Sequence, residues 1–279
     1  MANEANGIQL VPRNFSFPVL TMLNGEEVFN AYQEGIKSYG EKAKKTLGVL
    51  SYSKGIVKGS NPFAVVELGK SLRLATPSEL ELAVGINPDH FRGTYEDAGL
   101  VLRSKGDSHK PNGYIAKNLA EQVNRRIGKI DSDNPARISL KGLSLKEDKN
   151  SAYGLSFVIT DEAEVISVPE FSYKNNQRRF SRTDERGVPI FEDNGNRTFY
   201  AREQGVSRLC LYGDLDLGSG SGGLAYSDGD GRVVVVNEAE GLSQNFLNEH
   251  LAKLQTERER QIAEVQERFM RADAILRGK

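Results

Sequence analysis

The chain has 279 residues, enough for one large or two modest domains. Its 37 Lys and Arg against 38 Asp and Glu leave a net charge of −1, which argues against a nucleic-acid binder dominated by phosphate contacts and against a polybasic membrane anchor. The single cysteine, Cys210, excludes an intrachain disulfide, no apolar run approaches a membrane span, and the opening MANEANGIQLVPRN has no basic-then-apolar signal pattern. A cytoplasmic protein with no nucleic-acid or membrane partner is expected, although a leaderless export route would leave no mark.

In chain order, residues 15–23 are apolar and extended, broken by Pro18. Asn24-Gly25 then opens a charged helix from Glu26 to about Lys45, with Val28, Phe29, Tyr32 and Ile36 as its apolar stripe. Residues 47–52 and 64–68 are strand-like. Thr76-Pro77-Ser78-Glu79 is a helix start, with Thr as cap, Pro in the first turn and Glu three residues on; the helix should stop near Gly85. Residues 99–103 predict a strand. Residues 112–127 predict a helix with Ile115, Leu119, Val123 and Ile127 on one face and Gly128 as its end. Residues 138–146 alternate as a strand with a kink at Gly142. Residues 155–160 and 163–168 predict strands joined by a tight Asp161-Glu162 turn, and Asn194-Gly195 is a hairpin signal ahead of a strand over 197–202. In the tail, Leu247, Leu251, Leu254, Ile262, Val265, Phe269, Ala272 and Leu276 step by three and four as a coiled-coil seam does, with Arg258 at the missing position. These elements predict an α+β fold, a mostly antiparallel sheet with flanking helices plus a long C-terminal helix. The expected domains are an N-terminal α/β region (1–93), a binding domain (94–238) and the helix (239–279), a possible homo-oligomer contact through 247–276.

The most distinctive stretch, residues 207–236, reads SRLCLYGDLDLGSGSGGLAYSDGDGRVVVV. Leu209, Leu211, Leu215, Leu217, Leu224 and Val233 to Val236 form an apolar frame. From Cys210 to Asp230, every residue other than Leu or Ala is Gly, Ser, Asp, Tyr or Cys. The period-two leucine pairs predict strands with one buried face, and the four valines a central strand buried on both. Cys210, Tyr212, Asp214 and Asp216 would point away from the leucines, and 218–223 would be a loop. Tyr with Gly and Ser is the vocabulary of antibody binding loops.

A fixed Leu/Ala/Val frame with that alphabet between its members resembles the variable region of target proteins of diversity-generating retroelements, whose adenine rewriting turns Asn codons into Asn, Ser, Asp, Gly, Tyr and Cys codons. TYEDAGLVLRSKGDSHKPNGYIAKNLAEQV and LKEDKNSAYGLSF are also similar to such targets, so the resemblance spans roughly residues 94–237. It implies a C-type-lectin-like variable domain that binds a protein or glycan ligand on a solvent-facing surface, without a cofactor. In that family the variable region usually lies near the C-terminus, whereas here residues 239–279 follow it.

The expected ligand-binding residues are Cys210, Tyr212, Gly213, Asp214, Asp216, Gly218, Ser219, Ser221, Gly222, Gly223, Tyr226, Asp228, Gly229 and Asp230. Tyr212 and Tyr226 would be anchors, and the aspartates would favour a basic or polyhydroxyl partner. The bland alternative is a passive Gly/Ser/Asp loop on an assembly protein that oligomerises through its tail. Asp214-x-Asp216 and Asp228-x-Asp230 could offer hard oxygens to calcium, but Gly218 stands where a third ligand belongs and no closing Glu follows, so no metal site is expected. No catalytic residue is expected: His90, His109 and His250 are scattered, GSGSGG lacks the Lys of a phosphate loop, and Asp107-Ser108-His109 are chain neighbours that cannot form a triad.

Overall fold

The computed structural model describes residues 19–237 and begins with the strand Val19–Met22 (β1). Helix Glu26–Ile36 (α1) follows Gly25, whose φ of 98° suits glycine. The expected continuation to Lys45 is broken: Gly40 is extended, and a second helix, Glu41–Leu47 (α2), starts after it. Ser51–Ser53 (β2) and Ile56–Lys58 (β3) form a hairpin. Residues 64–68, expected as strand, lie in helix Pro62–Leu68 (α3). The Asn61 side chain caps it by accepting from the Ala64 N–H, and Pro62 occupies its first turn. These start signals outweigh the β-branched Val65-Val66 pair, and burial nearly all round hides any helical periodicity. Thr76 and Glu79 form the expected capping box at the head of Pro77–Ile86 (α4).

Tyr95–Leu102 (β4) is followed by Gly113–Ile127 (α5), which buries Ile115, Leu119 and Val123 and ends at Gly128, φ 83°. The strands Ala136–Ser139 (β5), Leu143–Glu147 (β6), Leu155–Ile159 (β7) and Val165–Ser167 (β8) divide between two sheets. The alternating stretch 138–146 is therefore two strands. Gly142 (φ 82°) separates them, and a side chain there would overlap the Ala163 backbone. Likewise residues 161–162 link β7 to β8 without making them a hairpin, because β7 pairs with β6 and β8 with β5. Arg179–Thr183 (β9), Pro189–Phe191 (β10) and Arg197–Ala201 (β11) come next. β11 returns against β9, and Gly195 permits this because any side chain would overlap Phe180. Val206–Leu211 (β12), Leu217–Ser219 (β13), Gly231–Arg232 (β14) and Val234–Asn237 (β15) complete the described chain.

Nine strands form the main sheet, in the order β10-β9-β11-β13-β12-β4-β5-β8 with β14 beside β4. Its pairs are antiparallel except β11–β13 and β14–β4. Alternate residues of β4 enter different cores: Leu100 and Leu102 join the main cluster with Phe63, Ile115 and Phe157, while Val101 joins a second around Phe171, Phe180 and Phe199. Ala98 joins a third around Leu80, Val84 and Phe91. The described parts of regions 1–93 and 94–238 share the main cluster, and β1 pairs with β15, so residues 19–237 are one compact unit. The fold is mixed α/β with a mostly antiparallel sheet. The coiled-coil seam of the tail lies outside the described residues.

Candidate binding face

The leucine and valine frame is buried. Leu209 and Leu217 pack with Phe180 and Phe199, Leu211 and Leu215 with Leu80 and Phe91, and Leu224 in the main core. Leu209 and Leu211 lie on β12 as their spacing predicts, but Leu215 is not in a strand. It sits in the turn between β12 and β13 with φ 73°, its N–H donating to the Tyr212 carbonyl at 2.7 Å. Val233 to Val236 are buried too, yet β15 belongs to the two-stranded sheet with β1 rather than to the centre of the large one.

The residues between the leucines divide by exposure, and four of them correct the expectation of a displayed face. Cys210, Asp216, Gly218 and Ser219 are buried. β12 runs between β4 and β13, and β13 already includes Gly218 and Ser219, so the loop begins only at Gly220. Ser219 Oγ accepts from buried Arg103 Nη2 at 2.6 Å, and Asp216 Oδ1 accepts from the Thr198 N–H at 2.5 Å. Tyr212, Gly213, Ser221, Gly222 and Gly223 are half-buried. Asp214, Tyr226, Asp228, Gly229 and Asp230 are exposed, Tyr226 by 60 %.

Behind the exposed loop lies a buried ion pair. Arg208 Nε and Nη2 donate to the two Asp97 oxygens, both at 2.6 Å. Ser60 Oγ also donates to Asp97 at 2.6 Å, and Cys210 Sγ lies 3.3 Å from it as a donor. Arg208 Nη2 reaches the Ser60 carbonyl and Nη1 the Tyr226 carbonyl at 2.9 Å, with the guanidinium over the Tyr95 ring. Every charge is thus compensated by a bidentate partner and hydrogen bonds, the condition for keeping an ion pair buried. Burial, with Asp97 adding to it, pushes the Cys210 thiol well above its usual pKa, so it is a poor nucleophile. Burial first, then Cys210, pushes the Tyr212 phenol up to about 12.

No protein-family model, curated protein or solved structure matches this chain. The loop from Leu224 to Gly231 is anchored mainly by main-chain atoms. Arg208 holds the Tyr226 carbonyl, Tyr95 Oη accepts from the Asp228 N–H at 3.2 Å, and the Gly59 N–H donates to the Gly231 carbonyl at 2.8 Å. Three side chains contribute as well: Leu224 is buried in the main core, Ser227 Oγ accepts from the Ser60 N–H, and Asp228 Oδ1 accepts from the Asp230 N–H. The glycines of the segment are unequal. A methyl group on Gly229 would meet open space, and on Gly220 only ordinary contact. On Gly213 it would press on the Gly93 backbone, and on Gly218 it would overlap the Tyr212 ring.

The aspartate pairs serve their own turns: Asp214 Oδ1 accepts from the Asp216 N–H and Asp228 Oδ1 from the Asp230 N–H. Among the described residues no three His, Cys, Asp or Glu side chains converge on a metal position. Asp107 is tied into the backbone, accepting from the His109 and Val206 N–H groups and from Arg202. Ser60, Tyr95, Asp97 and Arg208 complete the site. Local sequence marks them only as polar runs, Tyr95 to Asp97 on β4 and Ser207-Arg208 on β12, at the ends of otherwise apolar strands, and Ser60 carries no such mark.

A groove of about 1050 Å³ lies beside α4. Exposed Leu82 and Ile86 and the tip residue Asp214 line it, together with buried Glu81, which pairs bidentately with Arg197 at 2.6 and 2.8 Å. Nothing in the chain's local patterning foretold it, because its walls come from residues 78–92, 181–185, 196–197 and 214–215.

Proposed function

We propose that this protein is a non-enzymatic ligand-binding protein, diversified by a retroelement, whose exposed Tyr, Asp and Gly residues meet a protein or glycan partner while buried Leu and Val hold the fold. The observation that carries the reading is the way the loop 224–231 is held. Its anchor, Leu224, is buried, and Arg208, Tyr95 and Gly59 grip its main chain. A loop fixed by its backbone tolerates changes in its side chains, which is what a diversified surface requires. Tyr226 is its most exposed aromatic residue and hydrogen-bonds Asp228 at 3.0 Å. An amphipathic ring with a hydroxyl gives contact area at low entropy cost.

Three of the expected contact positions, Cys210, Asp216 and Ser219, belong to the support instead, since their side chains satisfy Asp97, the Thr198 N–H and Arg103. The reading is tested by sequencing this locus across a population of the source organism. Adenine-derived changes should concentrate in the codons for Tyr212, Asp214, Gly218, Tyr226, Asp228, Gly229 and Asp230, with the Leu and Val codons fixed. If the window 210–230 varies no more than residues 145–157, the protein is not a diversified binder.

A further inference from the structure

Tyr212 and Gly218 are not independent positions. Cys210 and Gly218 are register partners on β12 and β13, so a side chain at 218 would project beside the Cys210 thiol. That space is already occupied by the Tyr212 ring, whose Cε2, Cζ and Oη atoms would all collide with a Cβ on Gly218. The Tyr212 backbone is pinned, its N–H donating to the Asp216 carbonyl at 2.9 Å and its carbonyl accepting from Leu215. Backbone relief is therefore closed, and the ring can leave only by rotating about its side-chain torsions toward solvent. Gly218 itself does not have the positive φ that would bar an L side chain. A larger residue at 218 is thus compatible with the backbone and incompatible with Tyr212 where it now lies.

We infer that residue 218 decides whether Tyr212 lies within the binding face or stands out from it, so that the two form one specificity-determining pair. With Gly at 218 the ring lies over Gly218, beside Cys210, and Tyr226 is the aromatic residue offered to a partner. With Ala, Ser or Asn at 218 the ring turns outward, and the face offers a second aromatic contact. A single glycine codon then changes the shape of the surface as well as one side chain. This rests on the ligand-binding reading only for its meaning in recognition; the coupling itself is a property of the folded chain.

The test needs no ligand, so its failure is separable from failure of the binding proposal. Cys210 is the one cysteine of the chain and is 2 % exposed, which makes its alkylation by iodoacetamide, followed by mass spectrometry on the full-length folded protein, a direct reporter of the ring. Tyr212→Ala should raise the alkylation rate about tenfold or more, because it opens the thiol to the reagent and relieves part of the burial that keeps it protonated. Gly218→Ala should raise it comparably, and Gly229→Ala, which meets open space, should leave it unchanged. The double variant Tyr212→Ala/Gly218→Ala should react no faster and melt no lower than Tyr212→Ala alone. The inference is overturned if Gly218→Ala alkylates at the wild-type rate, or if it lowers the melting temperature as much without Tyr212 as with it, since the collision would then be elsewhere.

Discussion

The two faces of β12 are both buried, but by different means. On one, Leu209 and Leu211 enter apolar clusters with Phe180, Phe199, Leu80 and Phe91. On the other, Arg208 and Cys210 meet Asp97 and Ser60, and the apolar content is replaced by a charge pair in which both carboxylate oxygens and the guanidinium are satisfied. The leucine face tolerates error gradually, because dispersion and transfer energies scale with the atoms removed. The arginine face fails abruptly, because removing one partner strands the other charge out of water. The difference locates the binding loop, which hangs from the arginine face, where Arg208 holds the Tyr226 carbonyl and Tyr95 the Asp228 N–H.

Removal of one ion-pair partner should have the largest effect on stability. Asp97→Ala should lose about 3–5 kcal/mol in urea unfolding, the cost of an uncompensated buried Arg208. It should also free the loop, seen as faster amide exchange at Tyr226 and Asp228. A loss below about 1 kcal/mol, as for an exposed pair, would erase the distinction between the faces. Leu211→Ala on the leucine face and Leu215→Ala in the adjoining turn should each cost about 2–5 kcal/mol by leaving a cavity, without altering exchange in the loop.

Glu96 sharpens the comparison from the other direction. It is 1 % exposed on β4, its Oε1 accepts from Thr94 Oγ1, its Oε2 is buried without a hydrogen-bond partner among the described residues, and burial raises its pKa to about 7. The folded state therefore holds this proton more tightly than the unfolded chain, whose carboxyl titrates near the ordinary 4.5. Stability from this group is present below the unfolded pKa and is lost as pH rises toward about 7. Glu96→Gln should stabilise the protein by up to about 3 kcal/mol at pH 8 and by little at pH 4, measured by urea midpoints. An equal change at both pH values would show that the fold does not raise the Glu96 pKa. The smallest effect belongs to the exposed loop, where Gly229→Ala should stay within about 0.5 kcal/mol of wild type.

Much of the fold was legible locally. The capping box at Thr76 and the fourth-residue repeat from Ile115 to Val123 each placed a helix, since both are encoded within one or two turns. Residues 64–68 misled because a fully buried helix loses its period, and the single strand expected over 138–146 hid a change of sheet that only Gly142's approach to Ala163 reveals. Within the candidate site the leucines were legible as buried, but the residues between them were expected to be exposed. Alternation distinguishes two faces without saying what covers the second. Here Arg208 and Asp97 cover it, and they meet across 111 residues of sequence.

Local pattern was enough for the frame, because burial of Leu and Val follows from their side chains, and for the restricted Gly, Ser, Asp and Tyr alphabet of residues 210–230. Which of those residues reach solvent depends on the packing of the folded chain. The ion pair, the pairing of Cys210 with Gly218 and the resting place of the Tyr212 ring all depend on strands brought together from distant parts of the chain, and non-local pairing leaves no mark in local pattern.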